Sequence, residues 1–206
     1  MSNRALIIVD VQNDFCPGGA LAVEQGDRII PVINQVAPRF DVVVATRDWH
    51  PADHVSFASS HEGKEEGETV QVGDLEQVLW PDHCVQDTAG ARLHASLDLR
   101  PVNLILHKGT RRELDSYSGF LETDHRTSTG LAGYLRELGV SQVTVCGLAT
   151  DYCVLFTALD SVDAGFSTRL LTDATRAIDV PEGNLEKAKT RMKEAGITFL
   201  ESAGLS

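Results

Sequence analysis

The sequence lacks a basic excess, a long apolar run and a cysteine framework. Lys and Arg together number 18 against 30 Asp and Glu, a formal net charge of −12. A chain this acidic, with no Lys/Arg cluster, is unsuited to phosphate-backbone binding or to an anionic membrane surface, so neither nucleic acid nor membrane is an expected partner. No stretch approaches the roughly 20 apolar residues that cross a bilayer. Arg4 is followed only by Ala5–Val9 before Asp10, too short for the core of an export signal, so a cytoplasmic location is expected. The four cysteines, Cys16, Cys84, Cys146 and Cys153, are widely spaced with no C-x-x-C pair, which favours free thiols over disulfides. Also missing are G-x-G-x-x-G after the first apolar run, the P-loop signature, H-E-x-x-H and G-x-S-x-G, so dinucleotide, nucleotide-triphosphate, zincin and serine-hydrolase readings have no support.

What is present is an alternation of short apolar runs and amphipathic segments over 206 residues, a length suited to a single domain spanning 1–206. Six runs read as strands: Ala5–Val9, Asp41–Thr46, Val102–Leu106, Gln142–Cys146, Thr168–Thr172 and an edge candidate at Ile197–Leu200. Helices are expected over Arg28–Val36, on the Leu131/Tyr134/Leu135/Leu138 stripe, on the Leu155/Ala158/Leu159/Val162 stripe, and from Pro181 through Ala195. The fold class that follows is α/β, a three-layer α/β/α arrangement on a mostly parallel sheet of about six strands. An irregular region from about 48 to 99 has no strong period, and its charged stretch His61–Glu68 reads as a solvated loop.

Ligands of open parallel sheets bind at the carboxyl ends of the strands. The residues following the runs here are Asp10, Asp48-Trp49-His50, His107-Lys108-Gly109 and Gly147 through Cys153. Cys153 taken alone is a small buried hydrophobe. Placed after a glycine and at a helix start, it gains N–H groups and a dipole that favour a thiolate or an oxyanion. Asp10 alone is a cap or surface acid, and Lys108 alone a snorkelling surface group. On three strand ends together they compose a base, a cation and a nucleophile. Asp48-x-His50-x-x-x-His54, with His83 further on, has the donor types of a zinc, iron or manganese site; the alternative is a set of histidines in a polar loop. His61, His94, His107 and His125 have no such company and read as structural or exposed.

Segments along most of the chain, Ala5–Val23, Asp48–His54, Trp80–Val85, His107–Gly109, Asp115–Phe120 and Gly147–Val154, together resemble the isochorismatase-like cysteine hydrolase superfamily and, within it, the nicotinamidases (pyrazinamidases). The resemblance implies hydrolysis of nicotinamide to nicotinate and ammonia through a thioester, in NAD salvage, with pyrazinamide as a further substrate. It implies Cys153 as nucleophile, Asp10 as base and Lys108 as the polarising cation. Backbone N–H groups of Ala149 and Cys153 map to the oxyanion hole, and Leu148–Ala149 to a non-proline cis peptide. One divalent metal, Zn2+ or Fe2+ foremost and Mn2+ next, maps to Asp48, His50 and His83, with His54 either a ligand or the partner of a metal-bound water. Phe15 and Trp80 map to walls sandwiching the pyridine ring, with Leu21 and Tyr117 nearby.

Sibling enzymes that cleave isochorismate, carbamoyl compounds or ureido acids generally lack the Asp-x-His set. A catalytically dead scaffold would have lost one of Asp10, Lys108 or Cys153. A redox role would need Cys16 to reach Cys153. Exposed sheet edges would permit a homo-oligomer.

Overall fold

A computed structural model describes residues 3–205. Its centre is a six-stranded sheet built from β1 (Asn3–Val9), β2 (Val42–Asp48), β5 (Leu104–Lys108), β6 (Val140–Leu148), β7 (Ser167–Arg176) and β8 (Thr198–Leu200), in the order β5-β2-β1-β6-β7-β8. Every pairing within it is parallel. β1 lies in the interior because its run is apolar on both faces, and alternation along it feeds two separate cores. Leu6 and Ile8 pack with Ile29, Ile30, Ile33 and Val36 around helix α1 (Ile30–Val36). Ala5, Ile7 and Val9 face the other layer, formed by α2 (Leu131–Glu137), α3 (Cys153–Asp163) and α4 (Asn184–Glu194) through Leu135, Val154, Ala158 and Met192. Each fully buried Leu or Ile contributes roughly 1.5–3 kcal/mol.

Three boundaries differ from the sequence expectation. The strand expected at Val102–Leu106 is displaced to Leu104–Lys108. Val102 closes a turn onto Leu99, and the Asn103 side chain accepts the Val43 N–H at 2.7 Å, so pairing starts only afterwards. Lys108 thereby becomes the last residue of the strand. The helix expected from Pro181 begins at Asn184: Gly183, at φ +84°, interrupts any helical path before it, and Asp179 Oδ1 accepts the Leu185 N–H at 2.9 Å. Arg28–Val36 divides into a 3-10 turn, Gly26–Ile29, and α1, with Pro31 in the first helical turn, where its missing N–H costs nothing.

The irregular region holds an unexpected element. Strands β3 (Thr69–Val72) and β4 (Leu75–Val78) form an antiparallel hairpin just beyond the charged stretch. Elsewhere the region is loop, tied down by isolated bridges such as His50 with Val85 and Phe57 with Trp80. Among the described residues no helix is long and apolar enough to cross a membrane.

β1 and β6 lie tightly together at Gly147. Its φ is +112°, and a Cβ there would stand 2.1 Å from the Val9 carbonyl oxygen. Only glycine lets the two strand ends converge and bring Asp10 beside the segment leading to Cys153.

Candidate active site

Four neighbouring strands of the sheet, β5, β2, β1 and β6, deliver their last or next residues to one point. Asp10 follows β1, Asp48 ends β2, Lys108 ends β5, and Cys153 opens α3 after the turn that leaves β6. A carboxylate oxygen from each aspartate and the Cys153 Sγ all lie within 4.8 Å of one another. Lys108 Nζ is the hub: it is 2.9 Å from Asp10 Oδ2, 2.8 Å from the Ser116 carbonyl oxygen and 3.5 Å from Cys153 Sγ, and it also donates to Asp48 Oδ1. Asp10 is 0% exposed and Lys108 1%. Thr46 completes the cradle, its hydroxyl donating to Asp10 Oδ1 at 2.6 Å.

Such burial is tolerable only because the charges are mutually paired. Burial pushes the Asp10 carboxyl up to about 6, against the pull of Lys108 and with a push from Asp48. Burial acts on Asp48 in the same sense, but Lys108 and His50 outweigh it and hold that carboxyl well below the usual range. Burial would lower Lys108, yet Asp10 and Asp48 keep its ammonium form far above the ordinary lysine range. Burial pushes the Cys153 thiol well up, with Lys108 only partly offsetting it. The resting group is therefore a neutral thiol, its Sγ within 4.8 Å of an Asp10 carboxylate oxygen.

Cys153 opens onto a cavity lined also by Phe15, Leu21, Asp48, His50, Trp80, His83, Tyr117 and Ala149. On the Cys153 side, the backbone N–H groups of Ala149 and Cys153 have no hydrogen-bond acceptor among the described residues. Two unengaged donors at the start of a helix form an anion-accepting corner. The Leu148–Ala149 peptide is cis. Trp80 and Tyr117 are joined, the indole N–H donating to the phenol oxygen at 3.0 Å.

Across the cavity, Asp48, His50 and His83 bring one donor atom each within 4.8 Å of one another. The rings are pre-set by their far nitrogens. His50 Nδ1 is 2.9 Å from the Gly109 carbonyl, and His83 Nδ1 2.7 Å from that of Pro81. Each Nδ1 thus carries a hydrogen, so each ring in its neutral form turns an Nε2 lone pair away from that carbonyl, the arrangement metal-binding histidines use. One carboxylate and two oriented imidazoles fit a divalent metal with open positions. Burial and the neighbouring His50 lower His83 to about 4, so its ring is neutral at ordinary pH. His54 belongs to a different trio, with His50 and Asp115. Its ring stacks on His50 at 4.1 Å, Nδ1 is 2.7 Å from Ser56 Oγ, and Nε2 faces the Leu114 carbonyl at 3.3 Å.

The loops carrying these groups are clamped by buried polar side chains. Gln12 holds the Asp48 backbone in both directions at 2.8 Å. Asp14 Oδ2 accepts the Cys84 N–H at 2.7 Å and so fixes the turn that carries His83. From the hairpin, Gln77 donates to Asp115 Oδ2 at 2.9 Å.

Asp115, Tyr152 and Ile178 also line the cavity. Asp115 and Tyr152 stand inside sequence segments that already stood out, but with no role attached. Ile178 follows β7 with no sequence signal; the Asp151 carboxylate holds it in place by accepting the N–H groups of Ile178 and Asp179. All four cysteines are free and buried, with no disulfide between Cys16 and Cys153.

The isochorismatase domain family matches residues 4–203. A nicotinamidase from Acinetobacter baylyi is 50% identical over 204 residues, covering 99% of this chain and 95% of its own. Among solved structures, a nicotinamidase/pyrazinamidase from Acinetobacter baumanii superposes with a TM-score of 0.97 at 49% identity, covering 100% of this chain and 99% of its own. A pyrazinamidase of Pyrococcus horikoshii, solved in complex with zinc, gives a TM-score of 0.79 at 40% identity, covering 97% and 99%.

Proposed function

The chain belongs to the isochorismatase family, and from that premise we propose that it is a nicotinamidase, hydrolysing nicotinamide to nicotinate and ammonia in the cytoplasm. One observation carries the reading: a buried thiol beside a carboxyl of raised pKa shares one cavity with two unengaged N–H groups and an oriented Asp-His-His set.

In the proposed cycle, nicotinamide lies between Phe15 and Trp80, beside Leu21 and Tyr117, with its carboxamide over Cys153. Sγ attacks the carbonyl carbon as its proton passes to Asp10. Ionising the thiol unaided would be costly in this buried setting, so the base is needed. Asp10 is suited to it, because a carboxyl with pKa near 6 both accepts and returns a proton close to neutrality. The carbonyl oxygen, now negative, is received by the Ala149 and Cys153 N–H groups. Collapse breaks the C–N bond, Asp10 returns its proton to the departing nitrogen, and ammonia leaves a thioester on Cys153. Water then attacks that thioester, losing a proton to Asp10, and the sulfur departs to be reprotonated as nicotinate forms. Lys108 keeps its proton throughout and holds Asp10 against Asp48.

Asp48, His50 and His83 would hold one divalent metal, with Zn2+, Fe2+ or Mn2+ chemistry. Such an ion supplies a Lewis-acid contact for the pyridine nitrogen, anchoring a neutral flat ring. His54, engaged at both ring nitrogens, buttresses His50. Pyrazinamide, which keeps a ring nitrogen and the carboxamide, would be turned over as well, and the nicotinate formed would re-enter NAD salvage.

The test is ammonia release from nicotinamide by purified protein, before chelation, after it, and after adding Zn2+, Fe2+ or Mn2+. Release that falls on chelation and recovers with metal is expected. No release under any metal would overturn the substrate assignment.

A further inference from the structure

Asp10 stands in a conformation that its own backbone disfavours. Its φ is +48°, in the left-handed region that a residue with a Cβ seldom enters. Its neighbours Val9 and Val11 are fully buried, which fixes the path of the chain but not the rotation of the carboxyl. A proton acceptor has to present one particular oxygen to its donor, so that rotation matters to the chemistry.

One side chain grips Asp10 at both ends. Thr46, in β2, accepts the Asp10 backbone N–H at 3.2 Å and donates its own hydrogen to Asp10 Oδ1 at 2.6 Å. A hydroxyl has a single hydrogen, and here Oδ1 receives it. Bridging the N–H and the carboxylate of the same residue fixes its backbone and side-chain torsions together. Thr46 is itself locked. It is 0% exposed and β-branched, and its methyl fills the space left by Gly119, where a Cβ would stand 3.2 Å from Thr46 Cγ2.

The second oxygen is held differently. Asp10 Oδ2 accepts no hydrogen bond among the described residues; Lys108 Nζ meets it as an ion pair at 2.9 Å. Coulomb attraction depends on distance rather than on angle, so it keeps Oδ2 close without setting the plane of the carboxylate. The same Nζ lies 3.5 Å from Cys153 Sγ, which places Oδ2, and not the Thr46-bound Oδ1, on the side of the nucleophile.

We propose that Thr46 is a positioning residue for the base: it occupies Asp10 Oδ1 and thereby turns Oδ2, with its lone pairs free, toward the Cys153 thiol. The proposal rests on the Asp10–Cys153 chemistry of the reading above and adds to it the atom that takes the proton. Thr46 is not among the residues lining the cavity, so it acts through Asp10 and not on the substrate ring.

The experiment compares Thr46→Val, Thr46→Ala and Thr46→Ser in the full, metal-loaded chain. Val puts a methyl where the hydroxyl was, Ala removes the hydroxyl without crowding Asp10, and Ser keeps it. Two rates are read: nicotinamide hydrolysis, and alkylation of Cys153 by iodoacetamide, followed by the mass of the modified peptide. In the alkylation an S–C bond forms, iodide leaves and the thiol proton passes to Asp10, with no amide hydrolysed. Val and Ala should each lower kcat and the alkylation rate by about tenfold or more, a part of what the whole base contributes, with KM and metal content changed less than about twofold. Ser should recover to within about threefold of wild type. In an Asp10→Asn background, Thr46→Ala should cost nothing further, because a residue that acts only through Asp10 has nothing left to act on.

Unchanged rates in Val and Ala would overturn the proposal. So would a loss that Ser fails to recover, a loss carried by KM alone, or one that adds in full to that of Asp10→Asn. Should Thr46→Val fail to fold, Ala and Ser decide the matter. A protein inert toward nicotinamide would defeat the substrate assignment only, and the alkylation rates would still decide the part played by Thr46.

Discussion

The two walls of the active-site cavity are built by different means. The thiol wall takes Asp10, Lys108 and Cys153 from the ends of β1 and β5 and the start of α3, so the sheet's register fixes their spacing. The imidazole wall takes His50, His54 and His83 from irregular chain, and single side-chain clamps such as Gln12, Asp14 and Ser56 hold it. Register is a collective property that one substitution hardly shifts. A clamp is one hydrogen bond that one substitution removes. The thiol wall should therefore respond to mutation through chemistry with little loss of fold, and the imidazole wall through geometry and occupancy.

The largest expected effect sharpens that contrast. Cys153→Ala should lower kcat by on the order of 10⁴ or more while metal content, by elemental analysis, stays unchanged. Asp10→Asn comes next. It should cost about 10²–10⁴ in kcat, the usual scale for a general base. Folding raises the Asp10 pKa to about 6, so its linkage contribution to stability is present below the unfolded value and lost as pH rises through 6. At pH 7 the ionised carboxylate is thus a burden on the fold, and Lys108 retains Asp48 when Asp10 is neutralised. The melting temperature of Asp10→Asn at pH 7 should be no lower than that of wild type; a clear drop would break the claim that this wall is held by register.

The imidazole wall should show the opposite pattern. His50→Ala is expected to lose bound metal and raise KM by about 10–100-fold, with a smaller change in kcat. Gly109→Ala tests the same wall without touching a proposed ligand. A Cβ there would stand 2.4 Å from His50 Cε1, at a φ of +60° that disfavours a side chain. A several-fold loss of metal affinity is expected, read by competition with a chelator. The smallest effect is on the pH profile: kcat/KM should fall as pH drops through about 6, as Asp10 takes up the proton it must be free to accept. A flat profile from pH 5 to 7 would remove Asp10 from the role of base.

The same division explains what the sequence disclosed. Strands buried on both faces write themselves as unbroken runs such as Ala5–Val9, and the residue after each run is readable as a rim residue. The six-stranded parallel sheet and the positions of Asp10, Asp48, Lys108 and Cys153 were legible for that reason. Thr46 was not, because nothing in a strand residue announces a hydrogen bond to Asp10 across 36 positions. Gln77, Ser56 and Ile178 escaped on the same ground: their partners are distant or their placement depends on another loop. The hairpin had a signal, the alternation around Val70 and Val72 with Gly73-Asp74 at the turn, but the acidic run before it masked so short a period. Pro181 misplaced a helix start because a proline marks a first turn only where the next residues can continue it, and Gly183 does not.

The strand order carries a consequence for biosynthesis. β1 is made before the other described strands, yet it lies inside the sheet, with β2 on one side and β6 on the other. Its β2 edge can be covered early. Its other edge, apolar from Ala5 to Val9, waits until the chain has been made from Val9 to Val140 and beyond. Through that interval the nascent chain carries an open strand edge of the kind that invites mispairing, and Cys153, the proposed nucleophile, is made only after β6. β1 is therefore paired on both sides only once β6 has been made.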